Sequence, residues 1–178
     1  MPLALLIVAT LGTRIADRAH QAAGLDSVRQ LERSANDDCS GFARLIYRRE
    51  GVDLSTLPAR PGENGVTNIR RLAAARRALR KVPRPGDLVF FRNTTSRRGY
   101  THVGIVDSVR YPHVSFVHRA GRGIVRSRLD LLHPRRRESN DIIKRGARPR
   151  LAGELVAGFA APDPLRKGPG QEARRPAP

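Results

Sequence analysis

Three side chains in this sequence have the types that nucleophilic chemistry needs, and each is scarce or well placed. Cys39 is the only cysteine among 178 residues. It follows two acids, Asp37 and Asp38, and precedes Ser40, Gly41 and Phe42. A lone thiol forms no intrachain disulfide and no thiol-based zinc cluster. It is then an inert buried thiol, an exposed one, or a nucleophile. His102 and His118 fall in a later, strand-like part of the chain. An imidazole beside a thiol can take its proton, and a second polar group can orient that imidazole. Taken singly, each histidine reads equally well as a structural residue. The three together make a nucleophile, a base and an orienting group.

These groups must be positioned by a helix and two strands. Asp37 or Asp38 can cap a helix that begins at Cys39, carries Phe42, Leu45 and Ile46 on one stripe, and ends near Arg49 before Gly51. The free N–H groups and dipole of a helix start favour an anion. Such a site can lower a thiol from about 8.5 toward about 7, most of all beside a cationic histidine. The flanking carboxylates act the other way, so an imidazole partner is required. The apolar stripe predicts packing against strands. His102 opens one strand (102–109) and His118 closes the next (114–118), and a turn at 109–111 would set the two histidines opposite one another. Gly104 shares the face of His102, and its missing side chain would leave room for the helix start.

The remaining pattern divides the chain. Residues 3–11 are apolar but too short to span a bilayer. They read either as part of an export signal within an apolar segment 1–12 or as the lead into a first helix at 13–23, with Ile15, Ala16, Ala19 and Ala22 inward and Gly24 as its stop. A short helical stretch at 26–33 follows. Residues 54–66 read as a loop, and Asn68 as the cap of a helix over 69–80 with Ile69, Leu72, Ala73 and Leu79 inward. After the turn at 83–87 the period becomes that of strands, at 88–91, 102–109, 114–118 and 124–129. Helices first and an antiparallel meander afterwards define an α+β domain over 13–161. Residues 162–178 read as a disordered tail rich in proline, glycine and charge.

Thirty-four Lys and Arg against sixteen Asp and Glu give a net charge of +18. Such a field attracts anionic polymers without choosing among them. The chain has no tryptophan and few other aromatics, so stacking platforms for nucleic acid are not expected, and no base-reading element is visible. A binding module for polyanions, with an idle thiol, is the reading that competes with an enzyme.

Four blocks occur in a telling order: DCSGF (38–42), PGDLVFF (85–91), THVGIV (101–106) and FVHR (116–119). Together they resemble the papain-like cell-wall cysteine hydrolases, the NlpC-type peptidases and the related CHAP-domain amidohydrolases, over roughly 13–160. The resemblance implies a bacterial cell-wall enzyme that cuts amide bonds in peptidoglycan. Its type would be an endopeptidase or an N-acetylmuramoyl-L-alanine amidase. It implies Cys39 as nucleophile, His102 as base and His118 as the orienting residue, with Asp38 and Ser40 in substrate binding. It also implies a papain-like fold with the cysteine helix packed on an antiparallel sheet of five or six strands. Neither metal nor cofactor is implied. A monomer in the cell envelope or secreted, with peptidoglycan or a peptide as substrate, is the corresponding expectation. A thioester-forming acyltransferase of the same fold is the alternative. The Tyr-x-x-Gly-Gly segment frequent in NlpC-type members is absent before Cys39. The insertion 93–100, the GENGV stretch (62–66) and the SND near Asn140 look closer to the CHAP side.

Overall fold

A computed structural model describes residues 9–144 and 148–166. Helix α1 (Leu11–Ala22) starts two residues earlier than the sequence predicts, because the Thr10 hydroxyl accepts from the Thr13 N–H at 3.1 Å. Leu11 and Gly12 therefore belong to the first helix, and residues 1–8 of the apolar segment lie outside the described residues. The inward stripe is the expected one, Ile15, Ala16, Ala19 and Ala22, joined by Leu11. The stretch expected as helix over 26–33 is only a single tight turn, Val28–Gln30, capped by Ser27. Helix α2 (Cys39–Arg48) follows.

Helix α3 runs over Gly65–Ala75, not 69–80. Asn64 is its cap, accepting from the Thr67 N–H at 2.9 Å. Asn68 is instead buried, accepting from Arg44 and donating to the Leu57 carbonyl at 3.0 Å. Two asparagines four residues apart compete for one cap, and burial of Asn68 decides the outcome. The helix stops where Arg77 turns to φ +52°. Leu79, expected inward on that helix, lies 37% exposed in strand β1 (Leu79–Arg80).

The strands are β2 (Leu88–Arg92), β3 (Tyr100–Arg110), β4 (His113–Ala120) and β5 (Gly123–Asp130), with a small pair β6 (Ile142–Lys144) and β7 (Arg150–Leu151) set apart. A helical turn α4 (Ala152–Leu155) leads to β8 (Val156–Ala160), and a second turn, α5 (Pro162–Leu165), ends the described chain. The main sheet has six strands in the order β1-β8-β2-β3-β4-β5, all neighbours antiparallel. The expected meander β2–β5 is thus present, and β8 returns from the C-terminal end to pair between β1 and β2. Leu165 is only 3% exposed, so ordered chain continues past the boundary expected at 161. Residues 167–178 of the expected tail lie outside the described residues.

The sheet separates two cores. On one face Phe42 and Ile46 of α2, with Ile15 of α1 and Ile69 of α3, pack against Leu88, Phe90, Val103, Ile105 and Val117. On the other, Val89, Phe91, Val106, Phe116 and Leu129 pack beneath Ala152, Leu155 and Phe159. Fully burying side chains of this size contributes about 1.5–3 kcal/mol each. The α+β class follows directly. Among the described residues no helix is long and apolar enough to cross a membrane.

Candidate active site

Asp38 and not Asp37 caps α2, its Oδ1 accepting from the Gly41 N–H and from the Ser40 hydroxyl, both at 2.7 Å. Gly41 is required at this place. A Cβ there would collide with the Asn36 carbonyl, so only glycine lets the incoming chain fold back tightly against the helix and deliver Cys39 at its first position. Asp37 has another task. Both its oxygens accept from Arg119, at 2.8 and 3.0 Å, and its Oδ1 also accepts from the Val28 N–H at 2.9 Å. The hydrogen bonds from Arg119 and Val28 hold its carboxyl well below the usual carboxylate range.

His102 and His118 stand on the sheet face opposite α2. His102 pairs across from Phe91 on β2, and its ring lies 6.0 Å from that of Phe91; the His118 ring lies 5.0 Å from that of Phe116. The imidazoles meet edge to face at 89°, with His102 Nε2 2.7 Å from His118 Nδ1. His118 Nε2 is in turn 3.0 Å from Ser127 Oγ on β5. The register differs from the expected one. The hairpin turns at 111–112, later than expected, and a bulge at Asp107 gives one residue of that shift back: Val106 faces Phe116, so the histidines are diagonal neighbours and not directly opposed. A displacement of two residues preserves the face, which keeps the pair together. Gly104 also does something other than expected. Its absent side chain makes room for Phe116 and for His118, whose Cβ would stand 3.2 Å from a Cβ at Gly104, and not for the helix start.

Cys39 reaches this face at the rim. Cys39, His102 and His118 line one cleft of about 970 Å³. A smaller cavity of about 350 Å³ shares Asp38, Cys39 and Thr95 with it and continues past Ser40 toward the start of α3. The cleft therefore passes the thiol on two sides, and all five residues expected to form the site line it. Ser127 is the member that sequence reading missed. It sits in IVRSRL (124–129), two residues beyond the partner of His118, and only the register of β4 with β5 brings it to the ring.

Electrostatics differ from those expected of a helix-start thiol. Burial pushes the Cys39 thiol up; backbone N–H groups of Val103, Ser40 and Cys39 pull it down, and Asp38 pushes it up further. Burial lowers His102 to about 4, and burial with the charge of His102 lowers His118 well below its ordinary value. The phenyl rings around the pair are the reason: a desolvated imidazole resists protonation. Burial thus favours the neutral forms of the thiol and of both imidazoles. The hydrogen-bond chain couples the tautomers of the two rings. If His118 donates to Ser127 through Nε2, its Nδ1 accepts from His102 Nε2–H, and the bare Nδ1 of His102 is left as the base. Among the described residues no group of three or more His, Cys, Asp and Glu could hold a metal ion.

The model of the NlpC/P60 family matches residues 28–134. The chain belongs to the NlpC/P60 family. Its helices and antiparallel sheet follow that papain-like fold. Among solved structures it is similar to Ly7917, at 16% identity and a TM-score of 0.59 over 87% of this chain. It spans 63% of the Ly7917 chain. A second Ly7917 structure, described as holding the hydrolyzing product of MDP, gives 0.54 at 16% identity over 86% of this chain and 63% of that one. An NlpC/P60 family protein from Bacillus cereus ATCC 10987 gives 0.47 at 19% identity, over 87% of this chain and 41% of that one. No curated protein sequence matches the chain.

Proposed function

We propose that the protein is a cysteine hydrolase that cuts an amide bond in peptidoglycan-derived peptides. One observation carries this reading: His118 occupies Nε2 of His102, the other ring nitrogen has no hydrogen-bond partner among the described residues, and His102 and Cys39 line the same cleft. Membership of the NlpC/P60 family supports a cell-wall substrate, and so does the Ly7917 structure with the hydrolyzing product of MDP.

In the proposed reaction His102 Nδ1 takes the thiol proton as Cys39 Sγ attacks the amide carbonyl. The neutral pair makes this transfer concerted with attack. Backbone N–H groups at the start of α2, including that of Cys39, hold the tetrahedral oxyanion. His102 returns its proton to the leaving amine, and the C–N bond breaks. Water, deprotonated by His102, then cleaves the thioester and restores the thiol. His118 and Ser127 keep the imidazolium oriented while it carries the extra proton. Asp38 uses Oδ1 for its cap. Its Oδ2 is left for a substrate amine, with Ser40 holding the carboxylate in place. The work lies in the cell envelope or outside the cell.

The test is digestion of purified peptidoglycan by the full chain, with the soluble fragments identified by mass. The wild type releases fragments with a new carboxyl and amine end, and Cys39→Ala releases none. No new ends from the wild type, or equal release by Cys39→Ala, overturns the reading.

A further inference from the structure

We propose that the part of the cleft beside β4 and β5 is an acidic-group subsite, in which Arg119, Arg122 and Arg137 receive a carboxylate of the peptide being cut. This rests on the hydrolase reading and names what its substrate carries.

The cleft has cationic groups left over once its ion pairs are made. Three carboxylates line the large cleft, Asp37, Asp38 and Asp141. Asp37 has both oxygens on Arg119. Asp141 accepts from the Arg128 backbone N–H at 2.7 Å and pairs with its guanidinium at 3.4 Å. Asp38 is bound into the cap of α2 beside the thiol. Of the four arginines lining the same cleft, Arg126 pairs with Asp107 and Arg119 with Asp37. Arg122 and Arg137 have no acidic partner among the described residues. The cleft thus has uncompensated positive charge away from the thiol and a carboxylate next to it.

Arg119 turns this from a solvated arginine field into a formed site. Its side chain is only 17% exposed, and Asp37 fixes it through Nε and Nη2, which leaves Nη1 unused by the pair. A guanidinium already held in place loses little side-chain freedom when it binds an anion. Apolar neighbours in the same wall, Val125, Ile142 and Leu151, reduce the screening there. The separation of signs also gives direction. A peptide with an amine toward Asp38 and an acid toward the arginines fits one way round, whereas the overall charge of +18 selects no orientation. Because Cys39 and His102 share the cavity, the acid belongs to the molecule being cut and not to a separate polymer.

The experiment compares two synthetic peptides containing the same scissile amide, one with an acidic side chain near that bond and one with the matching primary amide. The acid is tried on each side of the bond in turn. With wild-type protein, the acid form on one side is expected to have a KM about tenfold lower than its amide, at similar kcat, the size of one charge-assisted hydrogen-bond pair. Arg122→Gln with Arg137→Gln closes that gap by raising the KM of the acid form, and 0.5 M salt narrows it. Equal KM for acid and amide on both sides overturns the subsite, as does a gap that survives the double variant. Should the wild type cleave neither peptide, the hydrolase reading falls. Calorimetry on Cys39→Ser then still judges the subsite: tighter binding of the acid form supports it, and equal binding overturns it.

Discussion

Two polar clusters sit close together on β5, and they differ in what they leave unused. The first is built on Asp130 and Asn140. Asp130 accepts from the N–H groups of Leu132 and His133 and from the Ser139 hydroxyl, each at 2.9 Å. Asn140 accepts from the Asp130 and Gly153 N–H groups and donates to the carbonyls of His133 and Arg136. Burial works to raise the Asp130 carboxyl, but the bonds from His133, Ser139 and Leu132 outweigh it and hold it at about 2. Nearly every donor and acceptor is matched, so this cluster pins the loop after β5 and has nothing to offer a substrate. The second cluster, His102–His118–Ser127, is a chain with an open end. Two bonds are made, and the other His102 ring nitrogen makes none among the described residues, in a cleft that Cys39 also lines. A saturated buried network specifies structure, while an unsaturated one at a cleft specifies chemistry.

Breaking the open chain should have the largest effect. His102→Ala removes the base and is expected to lower kcat about 10³-fold or more with the fold intact. His118→Asn, which can still accept from His102, should keep more activity than His118→Ala. Equal and complete loss in both His118 variants would assign that ring another role. The saturated cluster should respond in the opposite way. Asn140→Ala strands four backbone groups, of which the Asp130 N–H is buried and the others partly so, and is expected to cost about 2–3 kcal/mol in denaturant unfolding. The kcat of the fraction that remains folded should stay within about threefold of wild type. A stable but inactive Asn140→Ala would erase the distinction between the clusters.

Ser127→Ala is a finer cut at the open chain. It leaves both histidines but frees the His118 ring, and a kcat loss of about tenfold at nearly constant KM is expected, with Ser127→Thr restoring most of it. A smaller effect is the position of the acid limb. Because burial lowers His102 to about 4, the base stays neutral through mild acid, and kcat/KM should fall only near pH 4. The same shift has a consequence for stability. The unfolded histidine takes its proton near 6.5 and the folded one near 4, so the folded state loses stability as pH falls through that interval. Unfolding measured from pH 7 to 4 should show this slope, and it should be weaker in His102→Ala. An acid limb at pH 6 to 7 in a fully folded protein would mean that the imidazole is not desolvated.

Much of this arrangement was legible in the order of residues. The cysteine helix, its apolar stripe and its acidic cap are local features, and α2 forms where the pattern predicts it. The meander strands could be located because each alternates or runs apolar between turns. What was not legible depends on distant partners. Strand β8 is a five-residue run broken by Gly158 at φ +119°, and only pairing with β2 and β1 makes it a strand. The choice of Asn64 over Asn68 as cap turned on which one the fold buries. Whether Asp37 or Asp38 capped α2 was open until Arg119, 82 residues away, was seen to hold Asp37. The thiol was expected to be lowered by the helix start only together with an imidazole partner, yet burial, which no local pattern reports, pushes it up. Ser127 gave no signal at all, since a serine in a strand between arginines reads as solvent-facing.

The central claim is that Cys39 attacks the amide carbonyl with His102 as its base. Its most direct test is intact-protein mass spectrometry of the full chain mixed with a cleavable peptide and quenched in acid within the first turnover. The expected result is an added mass equal to the acyl part of the peptide, mapped by digestion to Cys39 and absent from Cys39→Ser. An unmodified chain at every quench time while peptide is being cut, or an adduct at any other residue, would contradict it.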